Sequence, residues 1–324
     1  MKGIHWAVLG TGTIANEMAR TMERNGRHFY AVGSRSPEKA AAFGEKYGIQ
    51  KVYSDLNEMF SDPAVDVVYI ATPHNTHFAY IKKALENGKH VLAEKAITLN
   101  SDELREAAAL AKAKGLVLAE AQTIYHMPLY KELRELLSSG KLGRVNLVTM
   151  NFGSFKEYDM GNRFFNRALA GGAMLDIGVY ALSFVRWFLD SKPENLLSQV
   201  KTAPTGVDEQ AGLLMTNPEG QMATVMLSLR SRQPKRGMVS CEKGYIEIME
   251  YPRAWEAKIT DADSGNVEVI RAGDCAQALM YEIADMESAI AGSPESMYLG
   301  YTEDVMDLMT RFRKSWGVSY PEEA

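Results

Sequence analysis

Residues 6–15 read Trp-Ala-Val-Leu-Gly-Thr-Gly-Thr-Ile-Ala. The four leading apolar residues have the composition of a short buried strand, and Gly10 stops them at once. Gly10-Thr11-Gly12-Thr13-Ile14-Ala15 then follows the GxGxxA pattern, with Ile14, Met18 and Met22 on one face of a helix behind it. The pattern has a steric reason: Gly10 admits a tight turn, Gly12 lets backbone approach a pyrophosphate, and Ala15 is small enough for a helix to lie close to a strand. The positive end of the helix would attract the anion. A plain strand–helix turn can also carry two glycines. Here the pair sits between an N-terminal strand, a helix and a second strand, so dinucleotide binding by Gly10, Thr11, Gly12, Thr13 and Ile14 is the expectation.

Working outward, short apolar runs at 5–10, 29–34, 51–53, 66–72, 90–94 and 116–121 alternate with helical patterns. That rhythm predicts an α/β fold, a doubly wound parallel Rossmann sheet occupying residues 1–121. Ser36 before Pro37 reads as a helix start, and Gly26, Gly48, Gly88 and Gly115 read as helix stops. After residue 121 the texture changes. A helix at 128–139, a strand at 145–155 and a helix at 173–189 precede apolar runs at 196–202, 210–216, 222–231, 238–241, 245–249, 254–260 and 266–270. Residues 122–324 are therefore expected to form a C-terminal α+β domain with one large, mainly antiparallel open sheet, closed by helices at 281–291 and 302–316.

The end of the second strand decides the nucleotide. An NAD-specific site places a carboxylate there for the adenosine ribose, whereas this chain reads Gly33-Ser34-Arg35-Ser36. Ser34 offers a hydrogen bond and Arg35 a guanidinium suited to a 2′-phosphate, so NADP is expected, with NAD left open. The competing reading leaves Arg35 pointing into water, as most arginines do.

Bulk properties narrow the partners. Over 324 residues the formal net charge is −5, which offers no general attraction to nucleic acid or to anionic membrane surfaces. Cys241 and Cys275 show no paired-ligand spacing and read as ordinary thiols. The opening apolar run turns into glycine too soon for a signal peptide, and the stretch 181–189 is interrupted by Arg186 and too short to span a bilayer, so a cytoplasmic protein is expected.

Two further segments fall at strand ends on the carboxyl edge, where open α/β sheets bind ligands. They are Thr72-Pro73-His74-Asn75-Thr76-His77 and Glu94-Lys95. His74 and His77 suggest a metal, but no third ligand is near and the pair opens a helix, so no metal site is expected. Contact with the cofactor or simple capping is the simpler reading of Thr72, Pro73, His74, Asn75 and His77.

The order GxGxxA, TPxxxH, EK, followed by Gly171-Gly-Ala-Met-Leu-Asp176-Ile-Gly-Val-Tyr180, resembles the glucose-fructose oxidoreductase, inositol dehydrogenase and MocA family over essentially the whole chain. Within it the likeness is to the branch of dimeric dihydrodiol dehydrogenases and NADP-dependent xylose dehydrogenases, which carry tyrosine at the place of Tyr180 and a tail similar to Gly317-Val-Ser-Tyr-Pro321. The resemblance implies that Lys95 and Tyr180 flank the reacting carbon with Asp176 beside them. It also implies that Glu94 meets the nicotinamide ribose and that the protein is a homodimer through its C-terminal sheet. Apolar residues in 222–229 and 245–249 would serve such a contact.

The residues agree with that chemistry. Asp176 and Tyr180 are four apart, so a helix puts them on one face, and a lysine at a strand's carboxyl end can approach from the other domain. Removing hydride from a carbinol carbon requires removal of the hydroxyl proton. A phenol titrates near about 10, and an ammonium close by favours phenolate. Tyr180 is thus the candidate acid/base, Lys95 its helper and Asp176 the group orienting Lys95. The plain alternatives are a half-buried core aromatic and an early-helix charge.

Two departures stand out: the family's EKP is Glu94-Lys95-Ala96 here, and an expected arginine is replaced within Tyr125-His126-Met127-Pro128. The expectation is an NAD(P)-dependent dehydrogenase or reductase interconverting hydroxyl and carbonyl on a sugar, polyol or cyclic diol. A non-catalytic dinucleotide-sensing regulator of the same fold is the alternative, and a lyase or hydrolase using transient oxidation is a third.

Overall fold

The computed structural model describes residues 3–323, which divide into two compact units, 3–121 with 279–299 and 122–278 with 300–323. The first unit holds a six-stranded sheet. Its strands are β1 (Trp6–Leu9), β2 (Ala31–Gly33), β3 (Lys51–Tyr53), β4 (Val67–Ile70), β5 (His90–Glu94) and β6 (Leu118–Ala121), in the order β3-β2-β1-β4-β5-β6. Every pairing is parallel. β1, β4 and β6 are buried at every residue, as strands covered by helices on both faces must be; β1 and β4 read as unbroken apolar runs for this reason, while β6 carries Glu120, which accepts from the Ile97 N–H. The order reverses between β1 and β4, and that reversal opens a crevice at their carboxyl ends.

The stretch 279–299, placed with the C-terminal domain in the linear reading, belongs to the core of this first unit. Leu279, Ile283, Met286 and Ala289 come from the helix Ala278–Ile290 and join Trp6, Val8, Met18, Met22 and Tyr69 in one buried cluster. Glu287 on the same helix accepts from the Trp6 indole at 3.0 Å and pairs with Arg27. A contact over that sequence separation leaves no local signal.

The second unit is built on eight strands: β7 (Val145–Gly153), β8 (Asn195–Thr202), β9 (Asp208–Thr216), β10 (Met222–Ser228), β11 (Gln233–Cys241), β12 (Gly244–Met249), β13 (Glu256–Asp261) and β14 (Val267–Arg271). Their order is β14-β13-β12-β11-β7-β10-β9-β8, antiparallel except for β7 beside β10. β11 starts earlier than the apolar run at 238–241 suggests, because a register shift between Gln233 and Arg236 lets polar residues stay in the ladder.

One face of this sheet is apolar and covered. Val148, Met150 and Phe152 of β7 and Ala223, Val225 and Leu227 of β10 are buried, and the helix Val179–Phe188 packs on these two strands. The run Arg167–Phe188 is long and apolar enough to cross a membrane by length and composition, but 78% of its most apolar window is buried in the protein. It is the core helix of the unit. The opposite face leaves Leu197, Leu214, Met222, Met226, Tyr245 and Met249 exposed.

Candidate functional site

At the carboxyl edge of the parallel sheet, a cavity of about 520 Å³ is lined by the turn after β1, the end of β2 and the turn after β4. Gly10, Thr11, Gly12, Ser34, Arg35, Thr72 and Pro73 all reach it. The turn is built by close backbone approach. Gly10 has φ +107°, and a Cβ there would stand 2.4 Å from the Ala71 carbonyl oxygen. Its N–H donates to the Gly33 carbonyl at 2.9 Å, which ties the turn to the end of β2.

The helix Thr13–Arg24 starts at Gly12 with no side-chain cap, whereas Ser36, Asp55 and Asn100 cap the helices they precede. Its first N–H groups are therefore available to an anion lying over the turn. A Cβ on Gly12 would meet nothing within 4 Å, so open space lies where a pyrophosphate would be bound. These features fit a dinucleotide. Thr13 and Ile14 form the first turn of that helix but do not line the cavity.

The adenosine end is more basic than the pair Ser34–Arg35 suggests. Lys39 and Lys46 also line the cavity, with Ala42 and Phe43 between them as an apolar floor. All four lie on the helix Pro37–Lys46, and residues 39, 43 and 46 recur at helical spacing, a signal present in the sequence and not used. Ser36 caps this helix by accepting from the Lys39 N–H at 3.3 Å, and Ser34 Oγ accepts from the Ser36 N–H at 3.3 Å. Lys46 Nζ donates to Asn16 Oδ1 at 3.0 Å, which holds the rim against the first helix.

The two histidines brace the edge from behind. His77 is fully buried, with Nδ1 3.1 Å from the Ala96 carbonyl and Nε2 2.8 Å from the Thr72 carbonyl. Burial pushes its imidazole below the usual value, although the facing carbonyls favour the proton. His74 Nε2 lies 3.0 Å from the Lys95 carbonyl. Neither ring lines the cavity, nor does Asn75.

The turn after β5 therefore has a defined path without the proline of the family pattern. The peptide Lys95–Ala96 is cis, the Ile97 N–H donates to Glu120 at 3.0 Å, and the Leu99 N–H donates to Glu103 at 2.9 Å. Glu94 is buried and accepts from the Tyr69 hydroxyl, while burial and that carboxylate raise the Tyr69 pKa well above the phenol range. Lys95 follows directly, at the carboxyl end of β5.

In the second unit Asp176 belongs to a five-residue π-helical turn, Met174–Gly178, rather than to the α-helix expected there. Tyr180 lies in the first turn of the α-helix that continues from it. The wider π turn still brings residues four apart near one side, and such turns recur at functional sites. Asp176 is mostly buried, with Oδ1 3.5 Å from Arg163 Nη2, and Tyr180 packs beside Phe152 at 6.2 Å between ring centroids. Tyr125 is a core residue, stacked 5.6 Å from Trp187, and His126 beside it is buried as well.

A crevice at the point of strand reversal, a helix start open to an anion and a basic rim define a nucleotide-binding protein of the Rossmann class. Residues 4–122 match the oxidoreductase family with NAD-binding Rossmann fold, and residues 130–247 match the GFO/IDH/MocA C-terminal domain. The chain belongs to the GFO/IDH/MocA oxidoreductase family. It is 30% identical to trans-1,2-dihydrobenzene-1,2-diol dehydrogenase of Sus scrofa, over 99% of each chain, and 29% identical to that of Homo sapiens over the same shares. Among solved structures, a 3-ketoreductase from Actinomadura kijaniata in complex with NADP and TDP-benzene is similar in fold, with TM-score 0.85 and 22% identity over 97% of this chain and 98% of the other. UDP-N-acetylglucosamine 3-dehydrogenase from Acidithiobacillus ferrooxidans gives TM-score 0.83 and 21% identity over 97% and 98%.

The Gly10 geometry makes a direct prediction. Gly10→Ala places a methyl against the Ala71 carbonyl and strains the backbone by about 1–3 kcal/mol, so the Kd for NADPH, read by fluorescence titration, should rise at least about tenfold. An unchanged Kd would show that the turn does not carry the nucleotide.

Proposed function

We propose that this protein is an NADP-dependent dehydrogenase or reductase that interconverts a hydroxyl and a carbonyl on a sugar, polyol or cyclic diol. The observation that carries the cofactor choice is the rim of Arg35, Lys39 and Lys46 at the end of β2, where an NAD site would hold a carboxylate. Arg35 and Lys39 would take the adenosine 2′-phosphate, Ser34 would add a hydrogen bond, and the uncapped helix at Gly12 would face the pyrophosphate. The nicotinamide supplies hydride acceptance in one direction and donation in the other. Family membership, the cyclic diol in the name of the curated relatives and the nucleotide sugar in the name of one similar structure support the substrate class.

In this reading Tyr180 removes the hydroxyl proton as hydride leaves the carbinol carbon, and returns it in reduction. The Lys95 ammonium favours the phenolate and donates a hydrogen bond to the substrate oxygen. Its backbone is suited to a fixed role, since the Lys95 and Ala96 carbonyls are braced by His74 and His77. Asp176 would orient the Lys95 ammonium, and its own carboxylate lies 3.5 Å from Arg163. Glu94, held by Tyr69, would accept from the nicotinamide ribose.

Oxidation of NADPH with a panel of aldoses, ketoses and dicarbonyls tests the activity. Lys95→Ala and Tyr180→Phe should each lower kcat by about 10²–10⁴-fold with the Kd for NADPH unchanged, and full turnover by either variant removes the role given to that residue. Arg35→Ala should raise the KM for NADP by about ten- to a hundredfold and leave the KM for NAD nearly unaltered, the loss expected for one charged hydrogen bond. Equal effects on both cofactors would contradict the 2′-phosphate assignment.

We further propose that the exposed sheet face bearing Leu214, Met222, Met226 and Met249 pairs with the same face of a second copy, a self-complementary contact of the kind two-fold symmetry requires. Met226→Glu should then lower the mass measured by light scattering from twice the chain mass to that of one chain. A single-chain mass before substitution would refute the dimer.

A further inference from the structure

The turn that launches the π-helical segment is held by groups far away in sequence, all within the second unit. Gly171 and Gly172 precede Met174, and the Asp176 N–H donates to the Gly172 carbonyl at 3.2 Å. Asp208, fully buried at the start of β9, accepts from the Met174 N–H at 2.6 Å. Its other oxygen has no hydrogen-bond partner among the described residues and occupies the space beside Gly172, where a Cβ would stand 2.3 Å from it. Gly172 has φ +126°, so both backbone conformation and space require glycine there.

The chain terminus closes the same turn from the other side. The Tyr320 hydroxyl donates to the Gly171 carbonyl at 2.7 Å, and Tyr320 is almost fully buried. Arg313 lies over the Tyr320 ring at 4.7 Å and grips Glu323 through two bonds of 2.9 and 2.8 Å, while Glu323 also accepts from the Tyr320 N–H at 2.9 Å. Arg167, just before the turn, donates to the Ser319 carbonyl at 2.7 Å. A buried carboxylate, arginine and phenol are costly to assemble; the carboxylate and the phenol address the backbone of 171–174, and the arginine holds the segment that carries the phenol.

We infer that Asp208 and the C-terminal segment 317–323, acting through Tyr320, are positioning elements that set the π-helical turn and with it the placement of Asp176 and Tyr180. The inference rests on the catalytic reading of Tyr180 given above. The groups act on backbone, one on the Met174 N–H and one on the Gly171 carbonyl. Burial pushes the Asp208 carboxyl up to about 7, against the Met174 N–H and the Arg313 charge. The charged and titratable groups around it are Arg313, Tyr320, Glu323 and, next to Tyr320, Arg167.

Tyr320→Phe removes one hydroxyl and keeps the packed ring. In the full-length protein, with the panel substrate that turns over fastest, it should lower kcat by about ten- to a hundredfold while the Kd for NADPH stays within about twofold. Amide exchange over 171–180 should quicken in the same variant. Asp208→Ala should behave alike, whereas Asp208→Asn, which retains an acceptor for Met174, should keep most of kcat and flatten its pH profile near pH 7. Faster exchange with unaltered kcat would mean a merely structural tie, and unaltered exchange in both Tyr320→Phe and Asp208→Ala would mean no tie; either overturns the inference. Loss of activity in Tyr180→Phe alone leaves the proposed function standing and this inference refuted, while full activity in Tyr180→Phe removes the role of Tyr180 on which the inference rests.

Discussion

The backbone contact between Gly10 and the Ala71 carbonyl organises the carboxyl edge of the parallel sheet. Because no Cβ intervenes, the first turn sits directly against the end of β4, and the next residues, Thr72 and Pro73, enter the same cavity as Gly10 and Gly12. From Thr72 the constraint passes through His77, whose ring bridges the Thr72 and Ala96 carbonyls, to the turn after β5. Three loops that follow three different strands are thereby linked in series. Lys95 lies on the last of them, so its backbone is located by contacts that begin at a glycine 85 positions earlier in the sequence.

Charge is distributed to the same end. The chain as a whole carries −5, yet the rim beside β2 gathers Arg35, Lys39 and Lys46. A local positive field on an acidic protein attracts one kind of anion at one place, without drawing the whole surface to polyanions. The helix start at Gly12 adds partial positive charge that no side chain consumes. The two contributions would address different phosphates of one ligand, which is why neither alone identifies it.

The second unit handles charge differently. Asp208, Arg313 and Glu209 are buried, in contrast to surface pairs such as Arg105–Asp102, whose side chains are 70% and 68% exposed. Exposed pairs of that kind contribute little. Removing an ion from water costs far more, and the cost is tolerable only when several bonds converge. Around Arg313 they do: burial opposes its charge, but Glu323 more than compensates and the guanidinium stays protonated. Asp208 and Tyr320 bring their bonds to the Met174 N–H and the Gly171 carbonyl, at two glycines where a Cβ has no room.

Much of this was legible in the primary structure, and the division has a physical basis. Strand periodicity, the GxGxxA turn and the position of Lys95 at a strand end depend on neighbours within a few residues, so local pattern was enough to place them, and the alternation of strands with helices implied the parallel sheet. The exchange of a carboxylate for Ser34–Arg35 was likewise readable, since it concerns side chains at one turn. What the tertiary structure alone decided involves partners separated by tens to hundreds of residues. These are the return of 279–299 to the first core, the two histidines turned onto the carbonyls of the turn after β5, and Tyr320 closing on Gly171. Hydrogen bonds and packing are satisfied by proximity in space, and a linear chain records which groups are able to form them but not which partners the fold will deliver.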